Sequence, residues 1–118
     1  MRQLVVAALA MLAALPAAAQ EWEPKRTAEL QMLDKVTARV SVLRAEVGQP
    51  ASFGSLTILV RACNARPVGE VPDAAAWMEI ADSLRSGAQA FRGWMFANAP
   101  GVHMLEHPVY DVRVLDCK

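Results

Sequence analysis

The chain has 118 residues, and its 12 lysines and arginines are matched by 12 aspartates and glutamates. That length suits one domain, and the even balance leaves no electrostatic footprint for nucleic acid or an anionic membrane surface. The 54% hydrophobic content is inflated by the first residues and is not evidence of membrane character.

Those first residues have the form of a cleavable secretory signal. Arg2 supplies the positive start, Leu4 to Leu15 is an unbroken apolar run, and Pro16 precedes the small residues Ala17, Ala18 and Ala19. The run is shorter than the ~20 residues of an ordinary membrane span. Signal peptidase requires small side chains just before the cut, so cleavage is expected after Ala19. No cysteine stands at the junction to accept a lipid. The expected organisation is a signal peptide over 1–19, a flexible lead-in over 20–27 and a single β domain over 28–118, with no stable membrane span after cleavage. Export would place the two cysteines, Cys63 and Cys117, in an oxidising compartment, where one intramolecular disulfide is the default.

The lead-in is polar and carries Trp22, expected as a solvent-exposed tail residue. Leu30, Leu33 and Val36 fall at helical spacing, but Val36, Ala38, Val40 and Val42 alternate with Thr37, Arg39 and Ser41 in the period of a strand. A hairpin reconciles the two halves: 30–33 pairs with 39–42 through a turn at 34–37. The alternation slips at Leu43, which suggests a bulge there. Gly48, Pro50 and Gly54 break the chain before its clearest strand, Leu56 to Cys63. Leu56, Ile58, Val60 and Ala62 face one way in that strand, and Thr57, Leu59, Arg61 and Cys63 the other. A loop with Pro67, Gly69 and Pro72 follows. Residues 75–82 fit strand or helix and are assigned as strand, 83–87 as a turn, and 88–97 as its partner strand. Pro100-Gly101 suits a type II turn, 103–106 a single helical turn, and 110–117 a last strand with Cys117 on its mixed face. The whole reads as all-β: a small sandwich or partly open barrel.

Three constellations carry chemistry. HMLEH at 103–107 sets His103 and His107 four residues apart, a metal-chelating spacing on a helix. Pro108 follows at once and no third ligand is fixed, so neither a metal nor a cofactor is expected. Ser55 or Ser86 with His107 and Asp111 are the parts of a hydrolytic triad, but no serine sits in a strand-turn-helix elbow. Cys63 as a nucleophile would need an activated thiolate outside a disulfide. Third, Trp94 and Phe96 share a strand face and form a stacking platform if they are not core. Glu106, His107, Tyr110 and Asp111 are the nearest polar cluster, readable either as part of that site or as a hydrogen-bonded corner.

Four segments, LDKVTARV (33–40), FGSLTILVRAC (53–63), GWMFANAPG (93–101) and EHPVYDVRVLDC (106–117), together resemble a short exported family of alphaproteobacteria known only as a domain of unknown function. In that pattern the turn after Val36 reads Thr-Gly, where this chain has Thr37-Ala38. Glu106 and His107 match the pattern and His103 does not. The resemblance implies a Gram-negative periplasmic setting and supplies no activity or cofactor. The expectation from these readings is a non-enzymatic periplasmic domain that binds an envelope protein or a glycan through Trp94, Phe96, Glu106, His107, Tyr110 and Asp111. The alternatives are a metal-dependent or hydrolytic enzyme centred on His107 and a thiol-redox role for Cys63 and Cys117.

Overall fold

The computed structural model describes residues 21–118, so the expected signal peptide and its cleavage site lie outside the described residues. Eight strands run through them: β1 (Glu23–Pro24), β2 (Thr27–Asp34), β3 (Arg39–Glu46), β4 (Ala51–Phe53), β5 (Leu56–Ala65), β6 (Ala74–Asp82), β7 (Ala88–Phe96) and β8 (Tyr110–Cys117). They form two antiparallel sheets that do not close into a barrel. The larger has the order β1-β5-β6-β7, with β4 also on β5, and the smaller is β3-β2-β8. The all-β expectation therefore holds in its sandwich form, and the Ala-rich segment around Trp77 is a strand as assigned.

Alternation decides what is buried. Leu30 and Met32 from β2, Leu56, Ile58 and Val60 from β5, Met78 and Ile80 from β6, and Val112 and Val114 from β8 meet in one core between the sheets. Each sheet turns its apolar face inward and removes that face from water, the main favourable term in folding.

The β2–β3 hairpin pairs Leu30 with Leu43, Leu33 with Val40 and Asp34 with Arg39, so the turn is 35–38, one residue on from the expected position. Asp34 Oδ1 accepts hydrogen bonds from the main-chain N–H of Val36 at 2.9 Å and Thr37 at 3.2 Å. Ala38 has φ 56°: the left-handed turn is kept although no glycine stands there. The expected bulge at Leu43 is absent, because β2 and β3 pair without a register shift. The slip in alternation has another cause. β3 is an edge strand whose Val40 and Val42 point outward to solvent.

The bulges fall elsewhere, and they correct the placement of the cysteines. Pairing of β5 with β6 shifts between Val60 and Ala62, leaving Arg61 extra. Pairing of β2 with β8 shifts opposite Leu115, where Leu30 pairs with Val114 and Glu29 with Asp116. An inserted residue reverses which face every later residue occupies. Cys63 and Cys117 are thereby turned off their mixed faces into the core, where they are 1% and 3% exposed. They form a disulfide between the sheets, with Cα atoms 5.6 Å apart and a sequence separation of 54.

Three loop expectations change. The lead-in is pinned: Glu23 and Pro24 pair with Ala65 and Asn64, and Lys25 N donates to Cys63 O at 2.7 Å. The turn at Pro100-Gly101 has the Val102 N to Ala99 O bond at 3.1 Å, but Gly101 is not among the positive-φ residues, so it is not type II. Residues 103–106 form no helical turn, because His103 and Leu105 are drawn to separate packing sites. His103 stacks on Phe91 with ring centroids 4.5 Å apart, while Leu105 enters the core.

Candidate functional site

The expected site residues divide between two places. His107, Tyr110 and their surroundings lie where β6 ends at Asp82. Trp94 and Phe96 lie at the other end of the large sheet, where β6 begins at Ala74–Ala75.

At the first place, His107 Nδ1 accepts the main-chain N–H groups of Val109 at 3.0 Å and Tyr110 at 3.1 Å. Its lone pair is therefore committed, and the ring proton is on Nε2, which donates to Asp82 Oδ2 at 2.7 Å. Both side chains are 3% exposed. Asp82 Oδ1 also accepts from Leu84 N at 3.0 Å and so caps the short 3₁₀ turn Ser83–Arg85. The bond from His107 is the main reason the Asp82 carboxyl is held below its ordinary pKa, against the opposing pull of burial. The dipole of the nearby Ser55 hydroxyl adds to this, although Ser55 Oγ is buried without a hydrogen bond of good geometry. Lys35 Nζ donates to the His107 carbonyl at 2.8 Å, and Tyr110 packs edge-on against Phe53 with ring centroids 5.6 Å apart. This is a hydrogen-bonded corner that ties the 97–109 loop to the end of β6 and the β2–β3 turn. The carboxylate that holds it is Asp82. Glu106 is exposed, and Asp111 lies on β8, with Arg113 Nε 3.6 Å from its carboxylate.

His103 is apart from this corner. Its Nδ1 donates to the Trp94 carbonyl at 3.1 Å, and its ring lies where a side chain on Gly93 would be. A Cβ at Gly93 would come within 2.5 Å of His103 Cε1, and Gly93 itself has φ 145°, so this position needs glycine twice over. Among the described residues, no group of three histidine, cysteine or acidic side chains is arranged to hold a metal ion.

At the second place, a transverse row on the outer face of the large sheet runs Asn64, Ala75, Phe96. The next row sets Trp77 against Trp94. Ala75 is the small residue in the middle, so the surface dips there. Trp22 stands on the β1 side of the dip, and Trp94 and Phe96 on the β7 side. The result is an open, mostly apolar cleft of about 270 Å³ lined by Trp22, Asn64, Ala75, Trp94 and Phe96. Trp94 is 38% exposed, too open for a core residue, and Phe96 is half-buried. Met95 between them supplies the core contact, 3% exposed on the inner face.

Trp22 is not a free tail residue. The Arg66 guanidinium lies over its ring, 4.1 Å from the centroid, which holds the indole at the rim by a cation–π contact. Neither Trp22 nor Asn64 was singled out as a site residue from the sequence. The available signal for Trp22 was an indole in an otherwise polar segment, two residues before Pro24. Asn64, half-buried, is the polar residue among those that line the cleft.

No helix among the described residues is long and apolar enough to cross a membrane. No curated protein and no solved structure matches the chain. Residues 28–117 match the family described as an uncharacterized protein conserved in bacteria (DUF2155), from the hairpin through to the second cysteine. With nearly all of its β domain inside that match, the chain belongs to the DUF2155 family.

Proposed function

We propose that this is a non-enzymatic binding domain of the bacterial periplasm that holds an envelope partner in the Trp22–Trp94–Phe96 cleft, and that the partner is a glycan. The observation that carries the reading is the placement of Trp94 and Phe96 on the outer face, where they add little to the core but wall a ring-sized cleft with Trp22. Aromatic faces bind the C–H faces of sugar rings, and a few convergent polar groups fix orientation. Asn64 is such a group. The periplasmic setting is supported by the signal-like first residues and by a disulfide compatible with an oxidising compartment. An enzymatic role centred on His107 is the weaker reading, because the ring is buried and both its nitrogens are engaged. A thiol-redox role is weaker again, since both sulfurs lie in the core.

The test is titration with soluble peptidoglycan fragments, followed by indole fluorescence. Saturable binding is expected, with Trp94→Ala and Phe96→Ala each weakening it about tenfold, in the range of a central interface residue, while the thermal unfolding curve is kept. Fragments that leave the fluorescence unchanged would reject the glycan, and an envelope protein whose capture depends on the same two residues would replace it. Binding indifferent to both substitutions would reject the cleft.

A further inference from the structure

Sheet edges leave main-chain groups unpaired, and proteins usually blunt them. Most of the edges here are blunted. β5 is flanked by β4 at one end and β1 at the other, with Gly48 N donating to Val60 O at 2.8 Å between them. His103 caps β7 through the Trp94 carbonyl. β8 carries the bulge at Leu115. β3 differs: its eight residues, RVSVLRAE, contain no proline, glycine or register shift.

Which β3 groups are free follows from the phase of the neighbouring strand. Thr27 N donates to Lys118 O at 2.9 Å and Lys118 N to Thr27 O at 2.8 Å, while at the far end Lys35 N donates to Val109 O at 2.8 Å. Odd-numbered residues of β2 therefore direct their main-chain groups toward β8, and even-numbered ones toward β3. The even residues Ala28, Leu30, Met32 and Asp34 pair with Ala45, Leu43, Ser41 and Arg39. The N–H and C=O groups of Val40, Val42 and Arg44 consequently point off the sheet. Glu46 is already engaged, since its carbonyl accepts from Gln49 N at 3.0 Å.

This array is symmetric about Val42. We propose that β3 is a self-association edge on which a second copy of the chain docks, antiparallel, about a two-fold axis through Val42, making one continuous sheet across the two molecules. In that register Val42 lies opposite Val42 of the second copy and Val40 opposite Arg44. Every free N–H and C=O of the three residues then meets a partner. A two-fold axis perpendicular to the sheet keeps outer faces together, so the two Val42 side chains cover one another and each Val40 lies beside Arg44 of the second copy; both valines are 58% exposed in the single chain. On the inner face Ser41 meets Leu43, which is half-buried in the single chain. No like charges stand opposite, and Arg44 has Glu29 on its own molecule, 3.7 Å from Nε. A closed, isologous pair of this kind uses the whole edge and leaves none to propagate. The edge belongs to the small sheet and the aromatic cleft to the outer face of the large one, so the two can be tested apart.

The experiment is sedimentation velocity on the purified processed protein across a concentration series, beside Val42→Pro and Val42→Lys. Proline removes one edge N–H, and an edge strand tolerates it; lysine alters only an exposed side chain, so at least one variant keeps the fold. The wild type is expected to reach twice the monomer mass, and a folded variant to stay at the monomer mass. Val42→Cys should form an intermolecular disulfide with itself and Val40→Cys should not, because only position 42 faces its own copy. A wild type that stays monomeric at every concentration overturns the proposal. So does a dimer that persists in both folded variants, a self-link at position 40 in place of 42, or a monomer whose β3 pairs only with an unrelated extended peptide.

Discussion

Asp82 and Ala38 show how single residues carry this fold. The Asp82 carboxyl is held below its ordinary pKa by the His107 hydrogen bond. A group whose folded pKa is lowered contributes stability above its unfolded value, about 3.9 for aspartate, and loses that contribution as pH falls through the folded value. Asp82→Asn is therefore expected to lower the unfolding midpoint at neutral pH, and the gap to wild type should close as the medium is taken below about pH 4. Thermal melts across that range check it; a gap that widens in acid would contradict the assignment. Ala38 has the opposite character, since its φ of 56° costs a residue with a Cβ roughly 1–2 kcal/mol. Some of that returns as unfolded-chain entropy when glycine replaces it. Ala38→Gly should stabilise the protein by about 0.5–1 kcal/mol in urea unfolding, and a destabilised variant would mean that the turn is not left-handed.

At the scale of elements, two of the three bulges, those at Arg61 and Leu115, do the most. Arg61 and Leu115 each reverse the phase of a strand shortly before its cysteine, so that two residues aligned with the solvent-side pattern arrive in the core. Deleting Leu115 should turn Cys117 back outward. Alkylation without reductant, followed by mass measurement, should then find two free thiols where the wild type has none. The loss should also cost about 4 kcal/mol by the chain-entropy argument for a loop of this length. Strand existence was legible because Leu56–Val60 and Tyr110–Val114 alternate cleanly. The bulges were not: nothing local marks Arg61 or Leu115 as the extra residue, and only cross-strand partners reveal it. The His107 corner was half legible. Its role as a loop anchor followed from Pro108 and the nearby acids, but its carboxylate proved to be Asp82, a residue 25 positions away that only the β6–β7 turn brings close.

For the whole molecule, the sandwich separates what the linear sequence had drawn together. Trp94, Phe96, His107 and Tyr110 are close in the chain, yet β7 runs the length of the large sheet between Asp82 and Ala75, so the aromatic pair and the histidine corner end up at opposite ends. The corner is buried, and both His107 ring nitrogens and both Asp82 carboxylate oxygens are hydrogen-bonded there, whereas the cleft is open and lined by the Asn64 amide. Trp22 joined the cleft only because Glu23 and Pro24 add a strand to β5, a long-range pairing that a two-residue segment does not advertise. The most direct measurement is therefore a map of amide chemical shifts as soluble peptidoglycan fragments are added. The shifts should concentrate on Trp22, Asn64, Ala75, Trp94 and Phe96 and leave Asp82, His107 and Tyr110 unmoved. Shifts centred on His107, with the cleft silent, would contradict this and return the functional site to the corner.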